Sequence, residues 1–162
     1  MDTLTPAVAV AVDALRDADR EFAPVGVIDR GGVVAVLVEG SMSRTMVFVQ
    51  HRDDAWITLG SIVGSYRVDR PRAARTPDRM ALSKMATKSA TDPDGVGWYA
   101  VTGLAAEDAE SVTLTSELDE HIAPIDRQGR AFAVVRARPG ERPKVTVRTR
   151  DGRTVSAGVA RA

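Results

Sequence analysis

Gly97-Trp98-Tyr99-Ala100-Val101-Thr102, Val112-Thr113-Leu114-Thr115, Ala131-Phe132-Ala133-Val134-Val135-Arg136 and Val145-Thr146-Val147-Arg148-Thr149 succeed one another through the last third of the chain. Each run is short, rich in β-branched and aromatic residues, and bounded by Gly, Pro, Asp or Glu, which is the pattern of strands separated by turns. Asp151-Gly152, between Val145–Thr149 and Arg153–Ser156, is the strongest hairpin signal, because Asp and Gly tolerate the left-handed backbone of a two-residue turn. Asp126-Arg127-Gln128-Gly129 marks a second turn. On Val145–Thr149 the alternation sends Val145 and Val147 inward and Thr146 and Arg148 outward. About six short strands with turns every 8–12 residues predict a β-sandwich-like domain over residues 96–162.

Working back toward the N-terminus, the pattern changes twice. Thr5 suits an N-cap and Pro6 the first helical position, where a missing N–H costs nothing. Leu4, Val8, Val12 and Leu15 fall at helical spacing with Ala11 beside them, while Asp13, Arg16, Asp17 and Arg20 take the other faces; Pro24 is expected to end the helix. A meander follows. Val25–Asp29 reads as a strand, Arg30-Gly31-Gly32 as a turn, and Val33–Glu39 as a strand whose continuous apolar character implies burial on both faces. Gly40-Ser41-Met42-Ser43 and Arg52-Asp53-Asp54 are turns around the alternating Thr45–Gln50, and Ala55–Val63 closes the meander with Trp56 as its largest core candidate. Residues 1–64 therefore predict a helix on an antiparallel β-meander, and the whole chain an α+β, mainly β fold.

Between the halves, residues 65–95 hold Pro71, Pro77 and Pro93 with little strand character, and read as a basic linker or surface excursion. Asp78–Lys88 is the one stretch there with helical spacing, through Met80, Leu82 and Met85.

Composition narrows the chemistry. At 162 residues the chain is long enough for folding to remove roughly 70% of the unfolded surface from water, so a self-sufficient core is feasible. There is no cysteine, which excludes disulfides, thiolate nucleophiles and zinc–thiolate sites. No apolar run approaches the ~20 residues of a membrane span, and the N-terminus lacks the basic and apolar regions of a signal peptide, so a cytoplasmic protein is expected. The net charge of zero conceals segregation: residues 1–64 carry −4, 65–90 carry +5, 91–129 carry −8 and 130–162 carry +7. Opposite charges on facing strands stabilise a sheet by about 0.2–1 kcal/mol per pair.

No catalytic motif emerges. Gly40-Ser41-Met42-Ser43-Arg44 is not a nucleophile elbow, and no glycine-rich loop has nucleotide-binding form. Asp92-Pro93-Asp94-Gly95 begins like a calcium loop, but the twelfth position is Gly103 where a bidentate Glu is needed, so it reads as a turn. His51 precedes Arg52-Asp53-Asp54 and reads as a solvated turn histidine. His121 follows Glu117, Asp119 and Glu120; with Glu107, Asp108 and Glu110 these form an acidic run that reads as a solvated face, or secondarily as a site for a cation or basic partner. Trp56, Trp98 and Tyr99 read as core anchors. No catalytic, cofactor-binding or metal-binding residue is assigned, and no cofactor is expected. Arg67, Arg70, Arg72 and Arg75, with Lys144, Arg148 and Arg150, form a possible basic patch. With a single neighbouring aromatic, Tyr66, and a balanced total charge, nucleic-acid binding is a minor expectation.

The order of parts resembles that of small actinobacterial proteins of unassigned activity, which combine a helix, a meander ending in a Trp-containing strand and an immunoglobulin-like tail. The residues that carry the resemblance are Val33-Val34-Ala35-Val36-Leu37-Val38, Arg52-Asp53-Asp54-Ala55-Trp56, and Gly103-Leu104-Ala105 followed by Val112-Thr113-Leu114-Thr115. The resemblance implies an immunoglobulin-like β-sandwich at the C-terminus and transfers no functional residue. Taken together, the sequence predicts a non-enzymatic protein-interaction module with a protein partner. The alternatives are a small-ligand binder or enzyme with a pocket between the N-terminal helix and sheet, and a basic-patch nucleic-acid binder.

Overall fold

Val33–Glu39 is buried from end to end, and the first half of the protein is built around it. In the computed structural model, which describes residues 5–15, 22–66, 71–78, 80–82, 89–90 and 95–159, the chain divides into two units at Arg67/Val68. The first contains a helix, α1 (Thr5–Asp13), and four strands: β1 (Ala23–Asp29), β2 (Val33–Glu39), β3 (Ser43–Arg52) and β4 (Ala55–Tyr66). The strands form an antiparallel sheet in chain order. Its turns are where the glycine and aspartate pairs predict them. Arg30 N–H donates to the Val33 carbonyl at 2.9 Å across Gly31-Gly32, and Asp53 and Asp54 turn β3 into β4 with φ of 49° and 61°.

Alternation sorts β2 into two faces. Val34, Val36 and Val38, with Val47 and Val49 of β3, meet the helix. Val33, Ala35 and Leu37, with Met46 and Phe48, occupy the other face and are also buried. The helix meets expectation in part. Ala11 and, just past the helix, Leu15 are buried as expected, Ala7 joins them, and Val8 and Val12 pack half-buried against the same core, while Leu4 lies outside the described residues. Pro24 is not the helix terminator. It lies in β1, an edge strand, opposite Val38 and beside a bulge between Pro24 and Gly26, the kind of strand position that tolerates proline. Trp56, the core candidate of β4, packs against the rim of the helix-side core rather than at its centre. It is half-buried at the end of β4, edge-on to the His51 ring opposite it in register, with centroids 5.1 Å apart.

The second unit holds β5 (Met80–Leu82), β6 (Ser89–Ala90), β7 (Gly97–Leu104), β8 (Ala109–Thr115), β9 (Glu120–Pro124), β10 (Arg130–Ala137), β11 (Lys144–Thr149) and β12 (Thr154–Val159). Two sheets result, one ordered β10-β7-β6 and one ordered β5-β12-β11-β8-β9. They share one apolar core of Val101, Ala131, Ala133 and Val135 from the first sheet with Val112, Leu114, Ala123, Val145 and Val147 from the second. Full burial of each such valine or leucine stabilises the fold by roughly 1.5–3 kcal/mol. Met80–Leu82, expected within a helix, is a strand lying parallel to β12, with Ala157 opposite Met80. An open sheet edge supplies partners for the backbone groups that an extended segment turns toward it, and that overrides weak helical spacing. The Asp151-Gly152 hairpin forms as expected, with Gly152 at φ 89° and Thr149 N–H donating to the Arg153 carbonyl at 2.9 Å.

Candidate interaction surface

Residues 71–78 are held as a strap against the second unit by two side chains. Arg72 donates from Nε to the Ala105 carbonyl at 3.0 Å, from Nη2 to Ala106 at 2.8 Å and from Nη1 to Arg127 at 3.2 Å. Its guanidinium lies against Gly129, where any Cβ would collide with it. Thr76 is fully buried, and both its N–H (2.7 Å) and its hydroxyl (2.6 Å) donate to Asp108 Oδ1. Arg153 donates to the other Asp108 oxygen at 3.0 Å and to the Thr76 carbonyl at 3.1 Å. Partial desolvation pushes the Asp108 carboxyl up, but the Thr76 donors and the Arg153 charge outweigh it and hold the group below the usual aspartate range. Asp151 is also held low, chiefly by the Thr149 hydroxyl, with the Arg153 N–H and guanidinium adding to it. The described part of the stretch expected to link the halves therefore belongs to the second unit, because its donors and acceptors are satisfied there.

A second set of side chains closes the free edge of β10. Most of the outward N–H groups along that strand find side-chain acceptors instead of another strand. Arg130 donates to Asp126 Oδ1 (2.8 Å), Val134 to His121 Nδ1 (3.1 Å), Arg136 to Asp119 Oδ2 (3.1 Å) and, just past the strand, Arg138 to Glu141 Oε2 (2.8 Å). The Ser116 hydroxyl donates to the Arg136 carbonyl. Unpaired strand edges invite pairing with other chains, and capping most of these N–H groups weakens that template. The other terminal strands are short: β5 has three residues and β6 two, while β9 ends in Pro124. The second unit is thus poorly suited to binding by strand addition.

What it leaves open is the outer face of the larger sheet. Register fixes three rows across β11, β8 and β9. One runs Lys144–Thr115–Glu120, the next Thr146–Thr113–Ile122, and the third Arg148–Ser111–Pro124. Ser156 and Thr154 of β12 extend the second and third rows. Ile122, in the middle row on the outermost strand β9, is a large apolar side chain 61% exposed. Lys144, Arg148 and Glu120 are exposed on the same face. Arg148 pairs with Glu110 at 3.6 Å, and Glu120 accepts from the Thr115 hydroxyl at 3.2 Å.

The candidates read from sequence are therefore dispersed. Arg67 and Arg70 lie outside the described residues, as do Asp92 and Asp94. Arg72 is spent on backbone carbonyls, Arg75 is exposed on the strap, Lys144 and Arg148 sit on the outer sheet face, and Arg150 is exposed in the β11–β12 turn. The acidic run is divided among separate tasks: Asp108 anchors the strap, Asp119 caps β10, Glu110 pairs with Arg148, and Glu117 pairs with Arg138 at 3.2 Å. Among the described residues no group of three or more His, Asp or Glu is arranged to hold a metal ion. His51 is at the end of β3 against Trp56, and His121 accepts a backbone hydrogen bond through Nδ1, which places its own proton on Nε2. Among the described residues no helix is long and apolar enough to cross a membrane. No protein-family model, no curated protein and no solved structure matches this chain.

Proposed function

We propose that this chain is a non-enzymatic protein-interaction module, and that its second unit is an immunoglobulin-like β-sandwich presenting one sheet face to a protein partner. The observation that carries the reading is the contrast between closed edges and an open face. Most of the outward N–H groups of β10 are capped by side chains, while Ile122 stands exposed on β9 in the middle row of the β9–β8–β11 surface, with Glu120 on the same strand and Lys144 and Arg148 on the far strand β11. An exposed apolar side chain set among polar and charged ones is a common feature of protein interfaces. The two imidazoles support a non-enzymatic role, since one meets Trp56 edge-on and the other accepts from the Val134 N–H. The close seating of Ala7 and Ala11 on the sheet gives no support to a ligand pocket beneath the helix. Arg72 and Arg148 are engaged within the protein, which weighs against a phosphate-tracking patch.

The test is a photo-reactive residue placed at Thr113, at the centre of the face, with a control at Arg127 in a turn. In extracts of the source cells, position 113 is expected to yield a defined protein adduct that excess unlabelled protein suppresses. An adduct pattern equal to that of position 127, or none at all, overturns the proposal.

A further inference from the structure

The outer face is charge-complementary to itself about β8. Every row has an outward residue on β11, one on β8 and one on β9, with β8 midway. We propose that the occupant of this face is a second copy of this chain, related by a two-fold axis running along β8; this rests on the interaction-module reading and names its partner. Rotation about an axis parallel to a strand exchanges the two flanking strands without moving any residue along them. Glu120 of the partner subunit then lies over Lys144, Ile122 of the partner subunit over Thr146, and Pro124 of the partner subunit over Arg148. The symmetry repeats each contact in the opposite sense.

All three rows match chemically. Lys144 and Glu120 are opposite charges in one row, each exposed. Ile122 meets the methyl group of Thr146, the least polar partner that β11 offers in that row. The Arg148 charge is already engaged by Glu110, which leaves its aliphatic stem as a surface for the Pro124 ring. A partner of one charge sign fits less well. The acid on β9 and the cations on β11 are only two strand spacings apart, roughly 9–10 Å, so attraction at one flank brings repulsion at the other. The short Ser111, Thr113 and Thr115 side chains on the axis leave room for bridging water, as is common in polar interfaces. Three rows make a small contact, so the dimer belongs to the weak, concentration-dependent class.

The experiment is sedimentation equilibrium of the full chain at low salt, from about 10 μM to about 1 mM, the range in which weak association is read. The expected result is a mass rising from one chain toward two. Glu120→Lys and Lys144→Glu each place like charges opposite one another in both symmetric contacts, and each is expected to weaken association about tenfold or more. The double exchange E120K/K144E restores the pairing and is expected to return to within about threefold of the parent. All these side chains are exposed, and circular dichroism confirms that each variant is folded. A single-chain mass at every concentration, single variants that associate like the parent, or a double variant no better than the singles would each overturn the dimer. If the dimer fails while position 113 still cross-links a different protein, the interaction-module reading survives; if 113 yields only an adduct of twice the chain mass, both stand.

Discussion

Replacing Asp108 with Ala removes the acceptor on which the strap depends. Three hydrogen bonds end on its carboxylate, two from Thr76 and one from Arg153. Thr76 is fully buried, so its N–H and hydroxyl lose their acceptor in a place that water does not reach. A stranded buried donor costs about 1–3 kcal/mol, and a hydrogen bond to a charged group contributes about 1.5–3 kcal/mol. The carboxylate is 24% exposed, and water recovers part of the loss, so the expected destabilisation is about 3 kcal/mol rather than the sum. The assay is urea unfolding followed by Trp98 fluorescence in a Trp56→Phe background, so that the single remaining tryptophan reports the second unit alone. The pH dependence has a defined sign. The folded carboxyl titrates below its unfolded value of about 3.9, so its stabilising charge is fully present above that pH and is lost as pH falls through the folded pKa. The gap between the parent and Asp108→Asn should therefore hold constant from pH 7 to about 5 and close as the pH drops toward 3. A change below about 0.5 kcal/mol for the Ala variant, or a gap to the Asn variant that does not narrow in acid, would refute the reasoning.

Three further expectations concern packing and turns. Glu39 and Arg44 face each other across β2 and β3 at 2.7 Å with both side chains 5% exposed, so Arg44→Met strands a buried carboxylate and should cost about 3–5 kcal/mol, whereas E39M/R44M should lie close to the parent in a thermal or urea melt. Gly129→Ala places a Cβ 2.8 Å from Arg72 Cδ in a residue whose φ is already 85°; it should lower the second unit's stability by about 1–3 kcal/mol, and prior removal of Arg72 should shrink that penalty in a double-mutant cycle. Asp54→Gly relieves a left-handed aspartate in the β3–β4 turn and should raise the stability of the first unit by about 0.5–1 kcal/mol, measured by Trp56 fluorescence in a Trp98→Phe background.

The sequence by itself determined what depends on near neighbours. Val33–Glu39 was legible as a doubly buried strand because every residue in it is apolar up to its last position. The turns were legible because Gly31-Gly32, Asp53-Asp54 and Asp151-Gly152 accept backbone conformations that other residues resist. Alternation gave the inward set Val145 and Val147 correctly. β9 carried no such signal: Glu120-His121-Ile122-Ala123-Pro124 mixes charge, imidazole and proline, and becomes a strand because β8 offers it a register. The helix's buried stripe was legible in part: Ala11 and Leu15 are buried as the spacing placed them, whereas Ala7, which hydrophobicity ranks below Val8 and Val12, was missed. Arg72 and its acceptors lie 33 to 55 residues apart, and Thr76 lies 32 from Asp108. Hydrogen bonds between such distant positions follow from the path of the chain in space. The closed edge of β10, the strap and the self-matching outer face were therefore decided by tertiary structure alone.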